Sequence, residues 1–104
     1  MVIVFVKFTV DPALREQVDQ AIADLNARTV DERRRATKFE YLSDPADPSK
    51  VCWFQCWPDR ESWHEWMANE THREVAALLH ERYVLAQDAT PYEAELIEFP
   101  PRGN

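Results

Sequence analysis

Glycine is almost missing from this chain. The single one, Gly103, stands next to last in 104 residues. Glycine-rich phosphate loops and the dinucleotide fingerprint need backbone that only glycine permits, so both nucleotide-binding classes are excluded. Cysteine is nearly as scarce, with Cys52 and Cys56 alone. Four residues apart on a strand, their Cα atoms would be about 13 Å from each other, far beyond disulfide reach. CxxxC without neighbouring histidines is also poor zinc spacing, and no metal site is expected. No apolar run approaches the 18 residues of a membrane span. Positive charge is in deficit too: 12 Lys and Arg against 19 Asp and Glu leave a net charge of −7. A nucleic-acid binder shows a basic field, so that class is disfavoured. The one basic cluster, Arg33-Arg34-Arg35, follows Asp31-Glu32 and reads as a solvated loop. Met1 leads straight into Val2–Val6 without a basic n-region or a small-residue cleavage site, which makes a cytoplasmic location the expectation.

What is present is globular: 45% hydrophobic and 30% charged residues. The length suits one domain over residues 1–99, followed by a tail, 100–104. A chain of this size buries roughly two-thirds of its unfolded surface. That supports one core but strains to enclose a deep private cavity as well, so oligomerisation is expected.

Residues 2–10 are β-branched or aromatic at every position except Lys7 and read as a strand buried on both faces for most of its length. Asp11-Pro12 has helix-start chemistry, and Leu14, Val18, Ile22 and Leu25 form one apolar stripe on a helix ending near Arg28. After a polar loop at 29–34, residues 36–43 alternate as a strand. The Ser43–Ser49 stretch is a turn longer than a tight hairpin loop, and Lys50–Trp57 form the next strand. One face of that strand carries Val51, Trp53, Gln55 and Trp57, and the other Cys52, Phe54 and Cys56. A helical region at 60–84 is interrupted near Asn69-Glu70-Thr71, with Ser62-x-x-Glu65 and Thr71-x-x-Glu74 as capping boxes. Residues 92–99, with Leu96, Ile97 and Phe99, read as the last strand. The order is β-α-β-β-α-β, an α+β ferredoxin-like fold with a four-stranded antiparallel sheet covered by helices on one face. Apolar residues on both strand faces imply a homodimer whose sheets close a shared barrel.

The opening strand, the segment Trp57-Pro58-Asp59-Arg60-Glu61-Ser62-Trp63 and the following Trp66-Met67-Ala68-Asn69-Glu70-Thr71-His72 together resemble the antibiotic biosynthesis monooxygenase (ABM) domain over roughly residues 2–99. The resemblance implies a homodimeric α+β barrel with a cavity between each sheet and its helices. The sequence departs from the family pattern in places. The Glu-Pro-Gly stretch of many members is replaced by Asp31-Glu32-Arg33-Arg34-Arg35. The family's histidines in and after the short helix fall on Trp66 and Thr71, the latter one residue short of His72. The Asn, Trp and His of haem-degrading members fall on Lys7, Trp66 and Ala76, and Ala76 cannot ligate iron, so haem degradation is disfavoured.

The resemblance implies a cofactor-independent monooxygenase acting on an aromatic or polyketide-like phenol, with cyclase or isomerase chemistry and a non-catalytic ligand-binding dimer as the alternatives. A deprotonated phenol can pass an electron to O₂ itself, so the protein need only bind, orient and stabilise charge. No cofactor is implied. His64, His72 and His80 lie eight apart, and each step turns a helix by about 80°, so they do not form one metal-binding face. His72, near the helix break, is the histidine best placed for function. All four tryptophans lie between positions 53 and 66. Trp53 and Trp57 read as packing on one strand face. Trp63 and Trp66 share a helix face and could wall a flat aromatic cavity, with packing equally open for Trp66. Lys7 either snorkels to the barrel's rim or faces the cavity to stabilise a phenolate. The expected catalytic set is Trp66, His72 and Asn69, with Lys7, Trp63, Tyr41 and Tyr83 binding substrate.

Overall fold

The structure, a computed structural model, describes residues 1–95 and 97. Strand β1 spans Val2–Val10. A 3-10 turn at Pro12–Leu14 leads into helix α1, Arg15–Arg28. Strands β2, Lys38–Asp44, and β3, Asp47–Trp57, follow. Helices α2, Arg60–Ala68, and α3, Glu70–Arg82, precede the last strand, β4, Val84–Glu93. All strand pairs are antiparallel, in the order β2-β3-β1-β4. This is the ferredoxin-like α+β arrangement read from the sequence.

Alternation along β1 sends Val2, Val4, Phe8 and Val10 to the helix side, where all four are buried. They meet Val18, Ile22 and Leu25 of α1, the stripe seen in the sequence, and Val75 and Leu79 of α3. The opposite, outer face is less covered than the composition of β1 suggested: Phe5 and Lys7 are exposed, and Phe5 stacks on Phe54 with ring centroids 5.0 Å apart.

Four local expectations are corrected. The β2–β3 connection is tight: Asp44 pairs with Asp47 across Pro45-Ala46, and Asp44 Oδ1 accepts from Ala46 N at 2.8 Å. The Asp and Pro residues taken for a long turn instead build a two-residue loop and extend β3 by three residues. Helix α1 begins one turn late, because Asp11 caps the 3-10 turn rather than the α-helix itself. The two later helices are capped by Asp59 and Asn69, not by Ser62 and Thr71. The last strand lies at 84–93, not 92–99; of the residues expected to carry it, Leu96 and Phe99 lie outside the described residues, and Ile97 is not in a strand. Pairing with β1 decides this. The segment 84–93 has no strict apolar alternation and contains Pro91, but an edge strand tolerates both.

The arginine loop is tied down on two sides. Arg33 donates to Asn26 O at 2.8 Å with its guanidinium 5.1 Å from the Phe39 ring centroid, and Arg35 reaches Asp59 and Glu65. Cys52 and Cys56 are free, both on the outer side of β3. Burial pushes the Cys52 thiol above its ordinary pKa, with nearby Lys7 opposing. Thiol titration in denaturant without reductant should therefore count two per chain; a count of zero would contradict this strand register.

Candidate functional site

The site is built around one residue that ends a helix and starts another. Asn69 has an extended backbone (φ −60°, ψ 129°), which no helix accommodates. Its N–H donates to Trp66 O at 3.1 Å, closing α2, and its Oδ1 accepts from His72 N at 2.9 Å, opening α3. This cap places His72 in the first turn of α3, folded back against α2. Its ring lies 4.6 Å from Trp66, tilted by 34°. Trp66 in turn stacks on Trp57 at 6.0 Å, and Phe39 meets Trp66 edge-on at 5.2 Å. An aromatic column thus runs from the sheet to the helix break.

Beside this column, between the sheet and helices α2 and α3, lies a cavity of about 320 Å³. The sheet contributes Val4, Val6 and Phe8 from β1, Trp53 and Gln55 from β3, and Gln87, Ala89 and Pro91 from β4. The helices contribute Trp63 and Met67 from α2 and His72, Ala76, Leu79 and His80 from α3. The volume falls at the small end of ligand pockets, roughly 300–1,000 Å³, and the mostly apolar wall with a few polar groups is their usual composition.

Within that wall His72 is the half-buried titratable group with a shifted pKa. Burial pushes its imidazole below its ordinary value, and the backbone carbonyls of Met67 and Trp66 oppose only part of this. The first turn of α3, at the positive end of the helix dipole, works against the cation as well. Its Nδ1 is buried without a hydrogen-bond partner. At neutral pH this is an uncharged imidazole able to take up a proton.

Of the residues selected from sequence, Trp63 and His72 meet at this cavity, and Trp66 stands behind His72, 1% exposed. The other four lie elsewhere. Asn69 is engaged as the shared cap, so it positions His72. Lys7 is on the outer face, in a groove of about 500 Å³ with Thr9, Cys52 and Asp88. Lys7 is therefore outside the helix-side cavity, because the alternation of β1 turns Val6 and Phe8 inward. Tyr41 faces α1, where its hydroxyl donates to Asp19 Oδ1 at 2.7 Å and Arg15 donates to the same oxygen. Burial first, and the Asp19 hydrogen bond second, push its phenol well above the ordinary value, so it is held as a neutral donor. Tyr83 follows α3, its N–H bonded to Leu79 O, and packs on the core.

Sequence reasoning missed Gln55 and assigned Trp53 to packing alone. The available signal was Gln55 itself, the one polar side chain on an otherwise apolar strand face.

The sequence matches the profile of the family described as antibiotic biosynthesis monooxygenase over residues 1–78. The chain belongs to the ABM family. Solved structures agree on the fold. A Deinococcus radiodurans protein assigned to the same family superposes with a TM-score of 0.82 at 19% identity, covering 97% of this chain and 100% of its own. A conserved protein from Methanosarcina mazei Go1 gives 0.80 at 16% identity, over 90% and 92%. A Mycobacterium tuberculosis protein gives 0.78 at 15%, over 93% and 96%. No curated protein matches the sequence. Identities this low carry the ABM fold and nothing finer.

The depressed imidazole makes stability depend on pH with a definite sign. The unfolded chain holds the His72 proton more tightly than the folded one, so stability is retained above about pH 6.5, the ordinary histidine value, and falls as pH drops below it. In urea titrations from pH 8 to pH 5, His72→Gln should flatten this limb; a limb of the same size in the variant would contradict the assignment.

Proposed function

We propose that this ABM-family chain is a cofactor-independent monooxygenase whose substrate is a flat, phenolic aromatic ring system held in the cavity under α2 and α3. The observation that carries this reading is His72, an uncharged and partly desolvated base set into a mostly apolar, aromatic wall. Trp63 and Trp53 supply faces and edges on which a planar ligand stacks. His72 takes the acidic proton of the bound hydroxyanthrone, leaving a delocalised anion. The anion gives an electron to O₂, and the two radicals combine at the ring carbon as a peroxide. Loss of water then leaves a carbonyl there: the CH₂ carbon gives up two hydrogens and gains one oxygen, and the second oxygen leaves as H₂O. Burial favours this sequence because water is kept from the anion. Trp66, stacked on the imidazole, and Asn69, capping its helix, act by fixing the base.

Oxygen uptake with a panel of hydroxyanthrones tests the proposal. One O₂ consumed per quinone formed is expected, with His72→Ala slowing turnover tenfold or more and steepening its dependence on pH. Anaerobic ring closure of a poly-carbonyl substrate would favour a cyclase instead, and binding without turnover an accessory protein.

The same reading includes a homodimer joined through the outer sheet face. Phe5, Leu42 and Tyr92 are 38%, 45% and 53% exposed there. Such an apolar patch on a sheet left open to water is a partner surface. Sedimentation at micromolar concentration should give a dimer, weakened by Leu42→Glu; a stable wild-type monomer would overturn this part.

A further inference from the structure

Gln55 is 3% exposed, near the C-terminal end of β3 on the helix side, and lines the cavity. A carboxamide so deeply buried is costly unless its polar atoms are paired. One of them is: Trp57 Nε1 donates to Gln55 Oε1 at 3.0 Å, within a buried pair two residues apart. An indole N–H can only donate. The amide therefore cannot turn over, and its oxygen is fixed toward Trp57. Its NH₂ end is left over, and no hydrogen bond among the described residues engages it. Two residues earlier on the same face, Trp53 is 3% exposed, and its Nε1–H is likewise buried without an acceptor. The Gln55 NH₂ is thus a donor that this wall of the cavity holds free.

We infer that the Gln55 carboxamide, locked in orientation by Trp57, is the polar anchor of the cavity and selects ligands that place a carbonyl or phenolate oxygen against β3. This rests on the cavity being an aromatic-ligand site and adds which atom of the ligand is read. The Trp57 indole polarises the amide, strengthening Nε2 as a donor. A donor fixed before the ligand arrives needs no reorganisation as negative charge builds on that oxygen. Trp57 is thus a positioning residue, and Gln55 sets specificity for oxygen-bearing rings over hydrocarbons of the same shape.

The test uses two probes of one skeleton, 9-fluorenone and fluorene, which differ by the carbonyl oxygen. Their affinities are measured by equilibrium dialysis, without turnover, for the wild type, Gln55→Glu at pH 8 and Gln55→Met. Gln55→Glu, checked by infrared spectroscopy to be ionised at the working pH, keeps the acceptor for Trp57 and the cavity shape while removing the donor. Gln55→Met removes both, and circular dichroism checks that each variant is folded. The wild type should prefer fluorenone, and the fluorenone-to-fluorene affinity ratio should fall roughly fivefold in both variants, the scale of one hydrogen bond. Fluorene binding should stay within about twofold, as expected if only hydrogen bonding is lost. A wild type that binds both probes equally, or variants that keep the wild-type ratio, would overturn the Gln55 assignment and leave the aromatic-site reading standing. Failure of both probes to bind the wild type would overturn the two together.

Discussion

Everything on the helix side of this protein depends on the Trp57 indole. It ends β3, 1% exposed, and makes contacts in several directions at once. Its face stacks on Trp66, which carries α2; its edge region meets Phe39 of β2 at 6.2 Å; and its N–H fixes Gln55. Aromatic pairs of this kind add about 0.5–1.5 kcal/mol each beyond the area they bury. In a chain of about a hundred residues, whose whole stability is on the order of 5–15 kcal/mol, the linked pairs Trp57–Trp66, Trp57–Phe39 and Phe39–Trp66 are a large share. The same residue therefore anchors the core and fixes the orientation of Gln55 in the cavity wall.

The aromatic column also explains how a small chain encloses a cavity at all. Size scaling argued against a deep private one, and the structure reconciles the two by placing the cavity beside the stacked column. Rigid rings span from sheet to helix and hold the layers apart, so the space beside them does not collapse onto smaller side chains. Asn69 completes the arrangement at the far end. Without its extended backbone, α2 and α3 would run on as one helix and His72 would not fold back against Trp66.

The order of elements, the apolar stripe of α1 and the helix break near Asn69 were all legible in the sequence, because each rests on a local signal: periodicity, a cap or a turn residue. The last strand was not. Val84–Glu93 has no strict apolar alternation, and only its pairing with β1, distant in sequence, makes it a strand. The tight Asp44–Asp47 hairpin was hidden because Pro45 and Pro48 looked like loop residues. The site divides the same way. His72 was visible through its closeness to a helix break, and Trp63 through its spacing from Trp66. Lys7 was left open between the rim and the cavity because a nearly all-apolar strand gives little clue to which face is inward. Gln55 was passed over because its importance lies in the hydrogen bond to Trp57, and pairing at i, i+2 on a strand is not announced by residue type.

The three strands on the sheet side of the cavity are not equally firm. Two, β1 and β3, are inner strands, each bonded on both sides. The third is β4, bonded to β1 alone and exposed at every position after Val84. Edge strands with few buried contacts open locally at far lower free energy than the core. Gln87, Ala89 and Pro91 therefore form the side that breathes, and Pro91 sits at a non-bonded ladder position with its nitrogen toward the open edge, so it costs the pair no bond. Traffic of a ring-shaped molecule in and out of so closed a space would follow that side, at a rate set by fraying of the strand rather than by diffusion to the surface.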